Sequence, residues 1–288
     1  MEHSLSSTQR SLRRSYFWKL LLLTNGISVA VLISLYFFFS AETLRATQDQ
    51  LKQIAVHVAN VVPVEVHEKL VDSDQISSEE YTSIEKQFQD IMTGNADIDD
   101  IYTLRPTSRE GYFTFVVSGM ETNDANGDGY LDDAEVKPAL GEEYDARNLP
   151  SLINGMTQAG YDFEITTDKW GNWLSGYAPL RDANGKAVAV VGVDYSANVL
   201  VRERESLLLY LLFIQIGLFF IYVLFIWFIT GKIIRPFVIF SNAIQAEVEG
   251  KEHELESVKK YSRAERKVFE MYHFLSDALK RSAQKKQD

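Results

Sequence analysis

The chain has 288 residues, a formal net charge of −11, 46% hydrophobic residues and no cysteine. The lack of cysteine excludes a disulfide-stapled secreted domain and a cysteine-based zinc or iron–sulfur site. An acidic chain with an isoelectric point near 5.0 is not expected to bind nucleic acid. Two long apolar runs also exclude an ordinary soluble enzyme, because each is long enough to cross a bilayer as a helix.

The membrane topology follows from those two runs and from the charges beside them. Residues 20–39 and 206–231 contain no charged side chain, and we predict transmembrane helices over 16–39 and 206–230. Basic residues precede the first run and follow the second, which places both termini in the cytoplasm and the segment 40–204 outside. A cleaved signal peptide is the alternative for the first run.

One polar side chain stands out in each apolar run, Asn25 in the first and Gln215 in the second. Polar groups of this kind hydrogen-bond between membrane helices, which would favour a packed dimer. The alternative is that each is simply tolerated. The outer segment is strongly acidic, because residues 41–204 contain 29 acidic and 13 basic side chains, a net charge of −16. Such a surface concentrates cations.

Helical spacing dominates the first part of the outer segment. Apolar residues between 41 and 70 recur every three or four positions, which predicts that a helix continues out of the membrane and is interrupted near Pro63. A second helix is predicted to begin at Ser77–Glu80 and to end at Gly94 and Asn95. Its apolar face contains Tyr81, Ile84, Phe88 and Ile91.

The pattern then changes to strands. The turn after the fourth predicted strand contains Asn184 and Gly185, two residue types that tolerate a positive φ. Helices followed by about five short strands indicate an α+β domain with an antiparallel sheet. The segments rich in β-branched and aromatic residues that predict strands are 101–104, 112–117, 163–167, 173–180 and 187–193.

The last two predicted strands carry a resemblance to a known family. The segments Thr167–Leu180 (TDKWGNWLSGYAPL) and Val190–Asp194 (VVGVD) resemble the final hairpin of extracytoplasmic Cache sensor domains. The resemblance covers residues 41–204 and implies a single PAS-like α+β module, with a long N-terminal helix and an antiparallel sheet. It also implies a small-molecule pocket on the sheet, and a two-pass receptor in the bacterial inner membrane.

An acidic loop matches the spacing of a calcium-binding loop. Residues Asp124–Glu135 (DANGDGYLDDAE) fit the pattern D-x-[DN]-x-[DN]-G-x5-E. We predict Ca²⁺ as the cofactor and a structural ion, because calcium takes roughly six to eight oxygen ligands. The preceding segment has a strand pattern, so an EF-hand-like loop inserted in the sensor domain is predicted, with an ion-free turn as the alternative. The predicted ligands are Asp124, Asn126, Asp128, Asp132, Glu135 and the backbone carbonyl of Tyr130.

A small-ligand pocket is expected where aromatic walls meet a few charged groups. In a strand that begins at Trp173, alternate side chains point to one face. Asp194 could equally cap the membrane helix that follows it. Core aromatics with a surface arginine are the alternative to a pocket. The candidate ligand-binding residues are Arg105, Tyr112, Trp173, Tyr177 and Asp194.

No catalytic arrangement is recognisable in the sequence. The five histidines are scattered between the predicted inner and outer segments, and no Walker, kinase or G-x-S-x-G motif is present. We therefore predict that the chain is not an enzyme. A membrane enzyme that uses the acidic loop as a catalytic metal site is the least favoured reading.

The residues after the second span resemble a HAMP linker. Pro236, Gly250 and the apolar spacing around them are similar to the two helices of that family, which pack as a four-helix bundle in a dimer. The resemblance implies a homodimer with a helical HAMP-like coiled coil over 231–282, beside cytoplasmic tails at 1–15 and 283–288. A short coiled coil that merely dimerises the chain explains the spacing equally well.

Together these features predict a membrane-bound signal-transduction receptor. A small ligand would bind outside, and a conformational change would pass through the HAMP-like linker. The residues after the second span leave no room for an output domain beside that linker, so a separate cytoplasmic output partner is expected. The alternative is a calcium-stabilised extracytoplasmic interaction or anchor protein without signalling output. Membrane lipid is a partner under either hypothesis.

Overall fold

The fold is described from a computed structural model. It describes residues 2–124, 127–230 and 232, with five further single positions between 267 and 277. The chain forms two compact units. One unit, called the outer unit after the topology predicted from the sequence, contains Tyr36–Leu208, and the second unit contains Met1–Leu35 and Leu209–Asp288.

Two of the predicted helices are present with the expected boundaries. Helix α1 spans Glu2–Val61 and ends before Pro63, after which a short helix α2 covers Val64–His67. The chain breaks there because proline has no backbone N–H and fixes its own φ. Helix α3 spans Glu79–Thr93, and the hydroxyl of Ser78 accepts a hydrogen bond from the N–H of Tyr81 at 3.1 Å. The predicted helix start is therefore confirmed as a side-chain N-cap.

Seven described strands form one antiparallel sheet in the order β3-β2-β1-β7-β6-β4, with β5 also paired to β6. A 3-10 turn at Ser73–Ser77 and helix α4 at Pro150–Gly155 connect the elements. The predicted α+β class with an antiparallel sheet is confirmed. The strands are β1 (Ile98–Pro106), β2 (Tyr112–Ser118), β3 (Glu143–Asp145), β4 (Gly160–Tyr161), β5 (Thr166–Thr167), β6 (Asn172–Arg181) and β7 (Ala187–Ser196).

One predicted strand is largely wrong. The segment 163–167 is a strand only at Thr166–Thr167, and β4 forms just before it at Gly160–Tyr161. Its apolar alternation suggested a half-buried strand, yet Phe163 is 77% exposed. Without a partner strand or a core to cover it, period-two spacing is not sufficient to form a strand.

The two faces of the sheet pack differently. The first face, here called the helix face, packs against α1 and α3 through apolar side chains such as Val191 and Val193 of β7 and Leu174 of β6. The alternate residues of the same strands, such as Val190 and Tyr177, belong to a second cluster on the opposite face. This division follows from the two-residue period of a strand.

Gly176 allows α1 to lie directly on the sheet. A Cβ atom at this position of β6 would lie 2.6 Å from the carbonyl oxygen of Leu51 in α1. Such a separation is below van der Waals contact, and the obstacle is backbone that no rotamer change can move. The close approach fixes how the helix is seated on the helix face.

The second unit contains long apolar helical segments. Helix α5 spans Ala197–Ile229, and both this helix and the part of α1 from Arg14 onwards are long and apolar enough to cross a membrane by length and composition. Gln215 donates a hydrogen bond from Nε2 to Oδ1 of Asn25 at 3.1 Å and accepts one from the hydroxyl of Ser28 at 3.0 Å. The two polar groups singled out in the sequence are thus partnered with each other within one chain.

The predicted HAMP-like linker, 231–282, lies outside the described residues except for Lys232 and the five single positions near its end. The tail at 283–288 is also outside them, and so is Asn126 of the acidic loop.

Candidate functional site

A cavity of about 510 Å³ extends from the C-terminal end of α3, at Gln89, Met92 and Thr93, to the face of the sheet opposite the helices, which we call the cavity face. Small-ligand pockets commonly have volumes of roughly 300–1,000 Å³. Strands β1, β2, β6 and β7 form its floor, and the segments on either side of the acidic loop form part of its rim. Among its lining residues are Asp100, Tyr102, Phe115, Trp173 and Asp194.

Strand register brings two carboxylates together at the floor. Asp194 of β7 lies directly opposite Asp100 of β1 on one side and Ser175 of β6 on the other. Side chains directly opposite each other in antiparallel strands are close neighbours, and like charges in that relation repel. The sheet therefore places two buried acids side by side at the floor of the cavity.

Asp194 is held by a tyrosine. The hydroxyl of Tyr102 donates to Oδ1 of Asp194 at 3.1 Å. Gly192 leaves room for this contact, because a Cβ atom there would lie 2.7 Å from the Tyr102 hydroxyl oxygen. Burial, and then the charges of Asp100 and Asp168, raise the pKa of Asp194 well above its usual range. Its buried position therefore disfavours the ionised form of Asp194.

Asp100 connects the floor to the rim. Its carboxylate accepts hydrogen bonds from the hydroxyl of Ser118 at 2.8 Å and from the N–H of Met120 at 2.9 Å. Burial raises the pKa of Asp100 to about 7, although these hydrogen bonds act in the opposite direction. Because Met120 begins the segment that leads into the acidic loop, Asp100 fixes where this segment leaves the sheet.

Asp168 organises the aromatic side of the cavity. Its Oδ1 accepts hydrogen bonds from the backbone N–H groups of Trp170 at 2.9 Å and Gly171 at 3.1 Å, as in an Asx turn. The same oxygen accepts from Nε1 of Trp173 at 3.0 Å, and Oδ2 accepts from the hydroxyl of Tyr144 at 3.1 Å. One carboxylate therefore orients three aromatic residues that line the cavity.

Aromatic rings form a continuous wall. The ring of Phe115 lies edge-on to Tyr144 and Trp170, with centroid separations of 5.5 Å and 5.3 Å. Tyr102 packs against Phe115 at 5.6 Å, and Tyr144 stacks with Trp170 at 6.4 Å. These are favourable geometries for aromatic pairs, so the wall is preorganised.

The acidic loop, Asp124–Glu135, leaves the rim of the cavity and returns to it. The N–H of Asn123 donates to the carbonyl of Glu135 at 3.3 Å and closes the loop at its base. Asn123 and Ala134 line the cavity. Nε1 of Trp170 donates to the carbonyl of Val136 at 2.8 Å, so the base of the loop is attached to the aromatic wall.

Within the loop, backbone donors converge on acidic side chains. The carboxylate of Asp124 accepts from the N–H groups of Gly127, Asp128 and Gly129 at 2.7–3.1 Å. Gly129, at the sixth position, has φ +85°, a conformation that favours glycine. Glu135 is buried. Among the described residues, which omit Asn126, no group of three acidic or histidine side chains is arranged to hold a metal ion.

The five candidate ligand residues fall in different places. Trp173 and Asp194 line the cavity. Tyr177 is buried under the cavity face, where its hydroxyl donates to Oδ2 of Asp162 at 3.0 Å. The guanidinium of Arg105 donates to the carbonyls of Leu70 and His67, each at 3.0 Å. Arg105, Tyr112 and Tyr177 are not among the described residues that line the cavity.

Tyr112 is used at the edge of the sheet. Its hydroxyl lies 3.3 Å from Oδ2 of Asp145, and the guanidinium carbon of Arg109 lies 3.4 Å from its ring centroid.

Sequence reasoning did not select several cavity residues. Asp168 and Trp170 were part of the quoted hairpin motif, and an aspartate two residues before a tryptophan and three before a glycine is a recognisable Asx-turn signal. The residues not selected include Asp100, Tyr102, Phe115, Tyr144, Asp168 and Trp170.

No protein-family model and no curated protein sequence matches this chain. Solved structures with a similar arrangement include the sensor domain of the histidine kinase DctB from V. cholerae, with 16% identity, a TM-score of 0.42, and 59% of this chain and 58% of that chain covered. The chain thus matches less than two thirds of that structure. The ligand-binding domain of the Campylobacter jejuni chemoreceptor Tlp3 in complex with 4-methylisoleucine has 14% identity and a TM-score of 0.39, with 63% and 62% covered. The extracellular domain of the putative histidine kinase vpHK1S-Z8 has 10% identity and a TM-score of 0.39, with 61% and 62% covered.

Proposed function

We propose that this chain is a subunit of a membrane-bound signal-transduction receptor whose outer domain binds a small ligand in the cavity. The observation that carries the proposal is the position of Asp194. This residue lines the cavity on β7, and β7 passes into the apolar helix α5 at Ala197 without an intervening loop. A ligand that moves Asp194 therefore acts on the first turn of that helix.

A second connection runs from the cavity face to α1. The hydroxyl of Tyr177 holds the carboxylate of Asp162 at 3.0 Å, and the backbone carbonyl of Asp162 accepts from Nε2 of Gln48 in α1 at 2.8 Å. All three residues are buried. Both long helices of the outer unit are thus linked to the cavity side of the sheet, which supports conformational coupling between ligand and helices.

The proposed ligand-binding residues are revised accordingly. Trp173 and Asp194 are kept, while Tyr177 becomes a positioning residue that holds Asp162. Arg105 and Tyr112 are left out, because each is engaged away from the cavity. Tyr102, Asp168 and Trp170 are added because they line the cavity and hydrogen-bond to other members of the wall.

The remaining parts of the proposal concern the membrane topology, the oligomeric state and the output partner. The outer domain, 40–204, lies outside the bacterial inner membrane, both termini are cytoplasmic, and the receptor is a homodimer. Its HAMP-like linker, 231–282, passes the signal to a separate output partner. The basic residues that flank the two apolar runs on their cytoplasmic sides support this orientation.

Orientation is tested by labelling. The chain has no cysteine, so single cysteines can be introduced at exposed positions. We expect Glu164→Cys to react with a membrane-impermeant maleimide on intact spheroplasts and Lys267→Cys to react only after permeabilisation. The reverse pattern would contradict the proposed topology.

Signalling is tested with a chimera in which this chain is fused to a HAMP-dependent kinase. A ligand that raises the melting temperature of the full chain in nanodiscs is expected to change kinase activity. The change should disappear in Trp173→Leu and persist in Ile165→Ala, whose side chain is exposed. If the ligand binds but kinase activity does not respond, the anchor hypothesis is favoured.

We also propose that the acidic loop binds one structural Ca²⁺. The positive φ of Gly129, the buried carboxylate of Glu135 and the turn formed around Asp124 support this assignment. Asp128, Asp132, Asn126 and the carbonyl of Tyr130 would complete the oxygen ligands.

The calcium proposal is tested by melting the full chain in nanodiscs. Calcium at a hundred times its dissociation constant stabilises the folded state by about 2.7 kcal/mol. We expect EDTA to lower the melting temperature, Ca²⁺ to restore it better than Mg²⁺, and Glu135→Gln to remove the response. Glu143→Gln is the matched control on an exposed strand edge. Equal melting in EDTA and Ca²⁺ would contradict the assignment.

A further inference from the structure

The charged groups that line the cavity are all acidic among the described residues. Lysine, arginine and histidine are absent from the described lining. The nearest basic side chains are paired with acids, since Lys137 forms an ion pair with Glu85, and Lys169, whose Nζ also lies 4.3 Å from the ring centroid of Trp170, forms one with Glu142. A ligand in the cavity therefore meets carboxylates without basic counter-charges. The acidic lining residues are Asp99, Asp100, Glu121, Asp168 and Asp194.

This charge pattern selects against an anionic ligand. A carboxylate that enters a partly enclosed site needs a cationic partner, because an unpaired buried charge is strongly disfavoured. The cavity offers none, and its acids repel an anion. Burial already disfavours the ionised forms of Asp100 and Asp194. A cation beside Asp194 favours the ionised form of its carboxyl and offsets the charges of Asp100 and Asp168 that oppose it.

The aromatic wall distinguishes an organic cation from a metal ion. Metal ions such as calcium bind oxygen ligands. Aromatic faces, in contrast, attract ammonium groups. The wall shows this on its own, because Nζ of Lys169 lies 4.3 Å from the ring centroid of Trp170. Phe115, Tyr144 and Trp173 provide further aromatic surface.

We propose that the cavity binds an organic ammonium ion that lacks a carboxylate, with the cationic group between Asp194, Asp168 and the aromatic wall. This inference rests on the proposed function, because it names the ligand class of the same site. A primary ammonium group donates hydrogen bonds to the two carboxylates. A quaternary ammonium group binds through the aromatic faces and the net negative charge.

The proposal is tested by isothermal titration calorimetry on the full chain in nanodiscs of zwitterionic lipid. The ammonium probes are putrescine, a primary diamine, and choline, a quaternary ion. The matched probes are 1,4-butanediol, which replaces both ammonium groups of putrescine by hydroxyls, and succinate, which replaces the cations by carboxylates. We expect at least one ammonium probe to bind and the two matched probes to give no binding heat.

Variants identify the site. Asp194→Asn removes one negative charge with little change of shape, and we expect it to weaken ammonium binding at least tenfold. Glu143→Gln removes the same charge from an exposed position outside the cavity and should leave affinity within twofold. Asp168→Asn provides a second variant if Asp194→Asn does not fold. Tighter binding of putrescine supports recognition by the carboxylates, and tighter binding of choline supports recognition by the aromatic faces.

Two results would overturn the inference in different ways. If succinate binds and Trp173→Leu abolishes that binding, the cavity is a ligand site of the opposite charge class, so the inference fails and the proposed function stands. If neither ammonium probe binds, and a broad metabolite collection produces no melting shift that Trp173→Leu removes, both the inference and the proposed function fail. Ammonium binding that Asp194→Asn and Asp168→Asn leave unchanged also overturns the inference.

Discussion

The two faces of the sheet are made by the same strands but have opposite character. On the helix face, Leu174, Val191 and Val193 pack against apolar side chains of α1 and α3, and this burial stabilises the fold. On the cavity face, Trp173 and Asp194 line a cavity with buried acids. Each is the neighbour in its strand of a residue on the helix face. The comparison teaches that the two-residue period of a strand separates the residues that stabilise the fold from those proposed to recognise a ligand. Substitutions should therefore have different effects according to the face on which they fall.

The largest effect is expected where α1 touches the sheet. Gly176→Val places a branched side chain against the backbone of Leu51, and we expect the full chain not to fold. Gly160→Val is the matched control, because no atom lies within 4 Å of a Cβ at that position. Protease resistance in detergent micelles measures the outcome. Native-like resistance of Gly176→Val would contradict the packing described for the helix face.

A smaller loss is expected from a cavity created on the helix face. Leu174 is fully buried, and Leu174→Ala should lower the free energy of unfolding by roughly 2–5 kcal/mol. Ligand affinity of the molecules that remain folded should be unchanged. Ile165→Ala, at an exposed site, should change stability by about 0.5 kcal/mol or less. Thermal unfolding and calorimetry on the same samples separate the two quantities. Weakened binding in folded Leu174→Ala would break the division between the faces.

The two faces should also respond to pH with opposite signs. The folded state keeps a proton on Asp100, whose pKa is raised to about 7 by burial, so stability falls as pH rises from about 4 to 7. The buried ring of His67, which contacts Thr103 on β1, has a pKa lowered to about 3 by burial and by Arg105. The unfolded state binds that proton more readily, so this contribution to stability rises between about pH 3 and 6.5.

Each contribution has a slope of at most about 1.4 kcal/mol per pH unit. We expect Asp100→Asn to make the pH dependence of stability more positive between pH 5 and 7, and His67→Gln to make it more negative between pH 4 and 6. Melting temperatures of the full chain across this range measure both. Shifts of the same sign in the two variants would show that the assignment of protons to the two faces is wrong.

The smallest effect on stability is expected at the centre of the cavity. Asp194→Asn keeps an acceptor for the hydroxyl of Tyr102 and replaces a carboxyl whose ionised form is disfavoured by burial. We therefore expect its free energy of unfolding to lie within about 1 kcal/mol of the parent protein, or above it. The comparison is made at pH 7.5 for both proteins. A loss as large as that of Leu174→Ala would mean that the cavity face also holds the fold together.

The helix face was the easier part to predict from the sequence. Ser78 and the apolar spacing after it predicted α3 with its N-cap, and the paired runs around Asn184 and Gly185 predicted the β6–β7 hairpin. These signals are local. Strand 163–167 was predicted in the same way and was wrong at three positions, because exposure of Phe163 is decided by what packs around it.

The cavity was predictable only in part. Trp173 and Asp194 could be selected because they lie in one hairpin. Asp100 could not be, since its importance comes from strand register that places β1 beside β7. Arg105 is a charged residue near a strand end, yet its guanidinium is satisfied by backbone carbonyls. Which polar groups meet is a property of pairing between distant segments, and composition does not reveal it.

In the proposed receptor, the junction between β7 and α5 determines the smallest displacement that the sheet could pass to the helix. A residue advances the chain by about 3.3 Å in a strand and by 1.5 Å in a helix, where it also turns the chain by roughly 100°. Conversion of Ser196 from strand to helix would thus draw in the chain by about 1.8 Å and rotate the helix by nearly a third of a revolution. Since no linker separates β7 from α5 at Ala197, this shift and rotation would pass directly to the helix, one residue at a time. In the proposed homodimer, spin labels at Val201 of the two protomers would report such a step as a change in the distance between the labels.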